Sequence, residues 1–104
     1  VSAHQRGSLM LSVVADPNGD VVYVHADLDG LEVLERSISA LRRHVAQGDC
    51  QHDHFFTVAW GGSELTETML NQERTDGCKQ VHHLKLYGWP DEWSKKYGLL
   101  PNAL

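Results

Sequence analysis

The chain has 104 residues, 41% hydrophobic and 22% charged, with a formal net charge of −5, values that describe one ordinary globular domain rather than a disordered segment. A chain of this size buries roughly two-thirds of its unfolded surface, so neither disulfides nor a metal is required to hold a core. No apolar run approaches the ~20 residues of a membrane span, and the acidic balance argues against nucleic acid, which is engaged through Lys and Arg on its phosphates.

The whole chain, 1–104, reads as a single domain whose first seven residues are expected to be disordered. Those residues lack an apolar stretch and are not a signal peptide as they stand. With no initiator Met, the N-terminus reads as trimmed; a cytoplasmic protein is expected, with the periplasm left open.

Leu9, Leu11, Val13 and Ala15 alternate with Ser8, Met10, Ser12 and Val14, the period of a strand. Asp16-Pro17-Asn18-Gly19-Asp20 is a turn, and Val21 to Ala26 is a second strand rich in β-branched residues, so an antiparallel hairpin opens the fold. Asp29 is expected to cap the next helix, with Glu32 completing a capping box. Leu31, Leu34, Ile38, Leu41 and Val45 recur at spacings of three and four and are assigned to the face on the sheet. Gly48 ends the helix.

His54, Phe56, Val58 and Trp60 alternate with Phe55, Thr57 and Ala59, giving a third strand that the Gly61-Gly62 pair breaks. Glu64 to Thr68 is read as a short fourth strand entered by a hairpin, with a first helical turn as the alternative. Asn71 to Gly77 is polar and reads as an exposed loop. Gln80 to Tyr87 is the last strand, and Pro90 opens a short terminal helix that Gly98 ends. The order predicts an α+β fold: a mostly antiparallel sheet of four or five strands, one long helix on one face and a short C-terminal helix. The opposite face is then solvated or covered by a partner. Tyr23, Phe55 or Trp89 on that face would mark a docking surface or a homodimer contact.

Chemistry-bearing residues are scattered. Cys50, His52 and His54 form one cluster of metal-ligand types and Cys78, His82 and His83 another. Thiolate and imidazole suit zinc, yet no tight C-x2-C or H-x3-H pair occurs. His82 and His83 on one strand point to opposite faces, so at most one joins a shared site. Two cysteines in a domain with a sufficient core read as reduced thiols. Ser63 lacks a nucleophile elbow and reads as a turn residue. Neither Glu64 with Glu67 nor Asp91 with Glu92 has a neighbour that would split their pKa values. No cofactor and no catalytic set is expected.

Three segments carry a family resemblance: Asp29-Gly30-Leu31, Trp60-Gly61-Gly62-Ser63-Glu64-Leu65-Thr66, and His83-Leu84-Lys85-Leu86-Tyr87-Gly88-Trp89-Pro90-Asp91-Glu92-Trp93. Spread over about Asp27 to Leu99, they resemble the immunity protein 32 family of bacterial polymorphic toxin systems. The resemblance implies a non-catalytic protein that binds a cognate toxin domain and blocks its active site or its substrate access. Residues 50 to 77 carry five acids against the single base Arg74, and such a stretch steers a basic partner. Trp60, Ser63, Glu64, Glu67, Glu73 and Asp76 are therefore the expected toxin-binding residues. Two other readings stay open: a small zinc-dependent hydrolytic enzyme using Cys50, His52, His54, Cys78 and His83, or a generic protein-interaction module.

Overall fold

The computed structural model describes residues 9–98; the N-terminal segment expected to be disordered lies outside them. Strands β1 (Leu11–Ala15) and β2 (Val22–Ala26) lead into helix α1 (Leu28–Ala46), then β3 (Gln51–Phe56), helix α2 (Asn71–Thr75), β4 (Lys79–Gln80), β5 (His83–Gly88) and helix α3 (Asp91–Lys96). The fold is α+β, and its strands form two antiparallel ladders, β2-β1-β4 and β3-β5.

Asp16 makes the first hairpin. Its carboxylate accepts from the Val21 amide at 2.6 Å and the Asn18 amide at 3.3 Å, and Gly19 takes the positive φ of 76° that the turn requires, a conformation glycine adopts without steric cost. β1 is buried from Leu11 through Val14, so it lies inside the sheet with both faces covered and its apolar/polar alternation does not mark a solvated side.

The helix is capped two residues earlier than expected. Asp27, extended at φ −86° and ψ −172°, accepts from the Gly30 amide at 2.8 Å, because only a residue with non-helical backbone can fold its side chain back onto the first free amides. Asp29 already lies in the first turn, and Glu32 pairs with Arg36 at 3.1 Å instead of closing a capping box. The buried line of α1 is also rotated: Gly30, Ser37 and Leu41 face the sheet, while Leu31 and Ile38, assigned to the core by periodicity, are 55% and 48% exposed. Gly30 lets the helix settle on the Met10 carbonyl, where a Cβ would stand 2.0 Å from the oxygen. Ser37 donates to Asp53 Oδ2 at 2.6 Å, which turns a polar residue inward.

The second half departs further from the sequence reading. The third strand stops at Phe56, and Val58–Trp60 is a 3-10 turn. Residues 64–68 form no hairpin; Leu65 makes a single parallel bridge to Thr57, and Thr66 donates to the Leu11 carbonyl at 2.7 Å. Asn71–Thr75 is a helical turn rather than a loop. The expected last strand divides at Val81 and His82. Val81 donates to Val13 at 2.8 Å and Thr57 donates to His82 at 3.0 Å, so one chain segment stitches the two ladders together. Leu11, Val13, Phe55 and Leu65 form the core under α1, with Ala26, Val33, Leu34, Leu84 and Leu86 around them.

Candidate functional site

Register decides which residues share a face. In the β3-β5 ladder His52 lies opposite Tyr87, His54 opposite Lys85 and Phe56 opposite His83. Since alternate residues point to opposite faces, these six project away from α1. Their neighbours Asp53, Phe55, Leu86 and Gly88 face the helix: Asp53 accepts from Ser37, Phe55 is 2% exposed, and a Cβ on Gly88 would stand 2.7 Å from Val45 Cγ2.

The β1-β2 ladder is covered on the corresponding side by the chain itself. Ser12 donates to the Thr68 carbonyl and Gln80 Nε2 donates to Ser12 Oγ at 2.9 Å. Glu73 on α2 reaches His25 Nε2 at 2.9 Å. Only the β3-β5 half of that face is left open among the described residues.

Seven rings in unbroken contact cross the open half. Phe56 stacks on His83 at 4.2 Å between centroids, His83 on His54 at 5.0 Å, His54 meets His52 edge-on at 4.9 Å, and His52 touches Tyr87 at 5.4 Å. Trp89 follows at 5.8 Å from Tyr87, and Tyr97 of the C-terminal segment at 6.2 Å from Trp89. Lys85 Nζ sits 4.9 Å from the Tyr87 centroid, within cation–π range.

His54 Nδ1 and His83 Nε2 are 2.8 Å apart, a hydrogen bond that requires one of the two nitrogens to be unprotonated. Burial under the neighbouring rings lowers the His54 pKa, helped by Lys85, His52 and His83 and opposed by Asp53. The lowered pKa favours the neutral imidazole that this hydrogen bond needs. Besides Lys85, a second ammonium lies along the stripe, Lys96 Nζ at 5.5 Å from the Tyr97 centroid.

Of the residues expected to bind a partner, Trp60 is 60% exposed and stacks in parallel on His82 at 5.5 Å, while Ser63, Glu67 and Asp76 are exposed. Two of the acids are used internally. Glu64 accepts from the Phe56 amide at 2.9 Å and holds the turn after β3. Glu73 is 5% exposed, accepts from the Leu70 amide at 2.9 Å and is held by His25, which removes it from any docking surface. Burial raises its pKa, but the Leu70 amide and His25 together outweigh burial and hold it below the ordinary glutamate value.

The metal-ligand clusters are brought together only in part: His54 of the first meets His83 of the second at 2.8 Å, with His52 beside them. β3 and β5 are neighbours but antiparallel, so Gln51 at the start of β3 meets Gly88 at the end of β5, and Cys78 precedes β4 in the other ladder. His82 turns to Thr57 Oγ1 at 2.8 Å. Among the described residues no three His, Cys, Asp or Glu side chains form a group able to hold a metal ion, and no helix is long and apolar enough to cross a membrane. Of the three aromatics proposed for a docking face, Phe55 lies in the core, Tyr23 is half-buried on the β1-β2 ladder, and Trp89 alone joins the ring stripe.

The alternation His52, His54, Phe56 was a signal for this surface, but identifying the residues across from it required the register. No protein family, curated protein or solved structure matches the chain.

Proposed function

We propose that this chain is a stoichiometric inhibitor of the immunity-protein kind, which neutralises a cognate bacterial toxin in the cytoplasm by covering its toxin domain. The observation that carries the reading is the seven-ring stripe on a sheet face left open among the described residues. Exposed, preordered aromatics are the residues around which protein interfaces concentrate their energy, because they bury large area at little entropic cost. The resemblance of residues 29–31, 60–66 and 83–93 to immunity proteins supplies the class of partner.

The charge distribution fits the same reading. Net charge of −5 steers a basic toxin domain toward the chain, and the rings accept its Arg and Lys side chains by cation–π contact. Trp60 and the exposed acids Glu67 and Asp76 extend the contact; Glu64 and Glu73 do not take part.

The test is co-expression with the product of the adjacent gene, scoring growth rescue and co-purification of a one-to-one complex. Rescue is expected, and Tyr87→Ala is expected to weaken the complex by at least ~30-fold, the range of an interface hot spot, with an unchanged circular dichroism spectrum. An active neighbouring toxin that is neither bound nor neutralised would end this reading.

A further inference from the structure

β5 is an edge strand: among the described residues it pairs with β3 alone. Beside it lies an apolar groove of about 710 Å³ between β5 and the flank of α1, lined by Ile38, Leu41, Val45, Leu86 and Gly88, with Arg42 at its rim. The flank continues along the helix as an exposed ridge in which Leu28, Leu31 and Ile38 are 82%, 55% and 48% exposed. Leu28, Leu31, Glu35, Ile38, Arg42 and Val45 are spaced alternately by three and four, the seam of a helix that packs along another helix. An unpaired strand edge and an apolar helix flank on the same side of a domain are both sites that associate unless protected.

We infer that this side of the molecule is the interface with a second copy of the same chain, related by a two-fold axis normal to the sheet near Leu86 and Ile38. The operation joins β5 to β5 of the second copy as an antiparallel pair with Leu86 opposite Leu86. This register sets Lys85 against Tyr87 rather than against another Lys85. α1 lies over both β3 and β5, through Ser37–Asp53 and Val45–Gly88, so its axis stands about half a strand spacing inside β5. With strands about 4.8 Å apart, the two-fold places the two copies of α1 about 10 Å from each other, at the upper end of the 8–10 Å range of packed helices. One rotation thus satisfies the strand edge and the helix ridge together.

Charge selects a second copy as the occupant. Glu35 and Arg42 lie on either side of Ile38 and neither has an ion pair among the described residues. In an antiparallel pair centred near Ile38 each Glu35 meets the Arg42 of the other copy. The ring stripe is on the opposite face of the ladder and stays open in the dimer.

The experiment is sedimentation equilibrium of the full chain alone, without toxin, so its outcome is independent of the neutralisation assay. A concentration-dependent species of twice the 11.7 kDa chain mass is expected. Ile38→Arg should weaken it by at least ~100-fold with helix content and melting temperature retained, since Ile38 is half exposed in the single chain. Arg42→Glu should weaken it by roughly ten-fold, and the exchange Glu35→Arg with Arg42→Glu should restore it. A chain of single mass at all concentrations, a dimer indifferent to Ile38→Arg, or an exchange that restores nothing would overturn the inference.

Discussion

Gly30→Ala puts the seating of α1 to the test, because two opposing effects of known size meet there. In an exposed helix interior the change from Gly to Ala is worth about 1 kcal/mol in favour of Ala. At this position the new Cβ would lie 2.0 Å from the Met10 carbonyl oxygen, 3.0 Å from its carbon and 3.1 Å from Ala26 Cβ. A carbon–oxygen contact needs about 3.3 Å, so the helix or β1 must retreat by more than an ångström, and the obstacle is backbone rather than a flexible side chain. The same carbonyl accepts from the Asp27 amide at 3.1 Å, and Asp27 caps the helix. Relief of the clash therefore sacrifices a backbone hydrogen bond at the cap, about 1 kcal/mol, on top of about 1–3 kcal/mol for overpacking. After the propensity gain the net is about 2 kcal/mol of destabilisation, or roughly 10 °C in melting temperature for a chain of this length. Urea unfolding followed by circular dichroism measures it, with exposed Ser39→Ala as the control, which should hold or slightly raise stability. A Gly30→Ala chain as stable as the parent would refute the close approach.

Three further outcomes follow from the protonation and exposure of single groups. The Glu73 pKa is lowered in the fold, so the stability it contributes is complete above the ordinary glutamate range and lost as pH falls through its folded value; the acid-side drop in urea midpoint should be smaller in Glu73→Gln, and equal drops would remove Glu73 from the account. NMR titration should place His54 below the ordinary histidine value, and Lys85→Gln should move it upward without restoring it fully, since burial outranks the lysine. A His54 indifferent to Lys85 would contradict the ladder register. Cys78 is half-buried and its pKa is raised by burial and by Asp76, Glu73 and Asp16, so at neutral pH it should alkylate more slowly than a free cysteine, a difference that urea abolishes.

The parts of the fold legible in the sequence are those set by local physics. The turn at Asp16 to Gly19, the span of α1 and its end at Gly48, and the short helix after Pro90 each follow from propensity or from a residue acting on its own backbone. What the sequence concealed depends on contacts between distant segments. Asp27 and Asp29 are both able to cap, and only the seat of Gly30 on Met10 decides between them. The run Asn71 to Gly77 is uniformly polar, yet it contains a buried carboxylate whose partner His25 is 48 residues earlier. The split at Val81 and His82 requires knowing that β1 and Thr57 compete for the same segment. Close approach also explains the residues behind the family resemblance. A Cβ on Gly30, Gly62 or Gly88 would meet a neighbour at 2.0, 2.4 or 2.7 Å, so these motif glycines set how the helix, the turn after β3 and β5 pack. The motifs speak first to the fold, and His52 and His54 of the ring stripe lie outside them.

Ring contacts stabilise a ladder whether or not anything docks on it, by roughly 0.2–1 kcal/mol for a directly opposed pair. His52 with Tyr87 and Phe56 with His83 are such pairs, so their removal lowers the stability of the unchanged fold and weakens any interface together. Trp60 separates the two roles. It sits on the 3-10 turn outside both ladders, 60% exposed, with its ring parallel to His82 at 5.5 Å. Losing that stack should cost the free protein about 0.5–1 kcal/mol, whereas truncating an interface hot spot costs at least about 2 kcal/mol of binding, close to 30-fold in Kd. Trp60→Ala should therefore lower the urea midpoint only slightly while weakening the toxin complex by more than ten-fold, both read on the same purified protein. Comparable small losses in the two measurements would return Trp60 to the fold and leave the ring stripe to carry the interface alone.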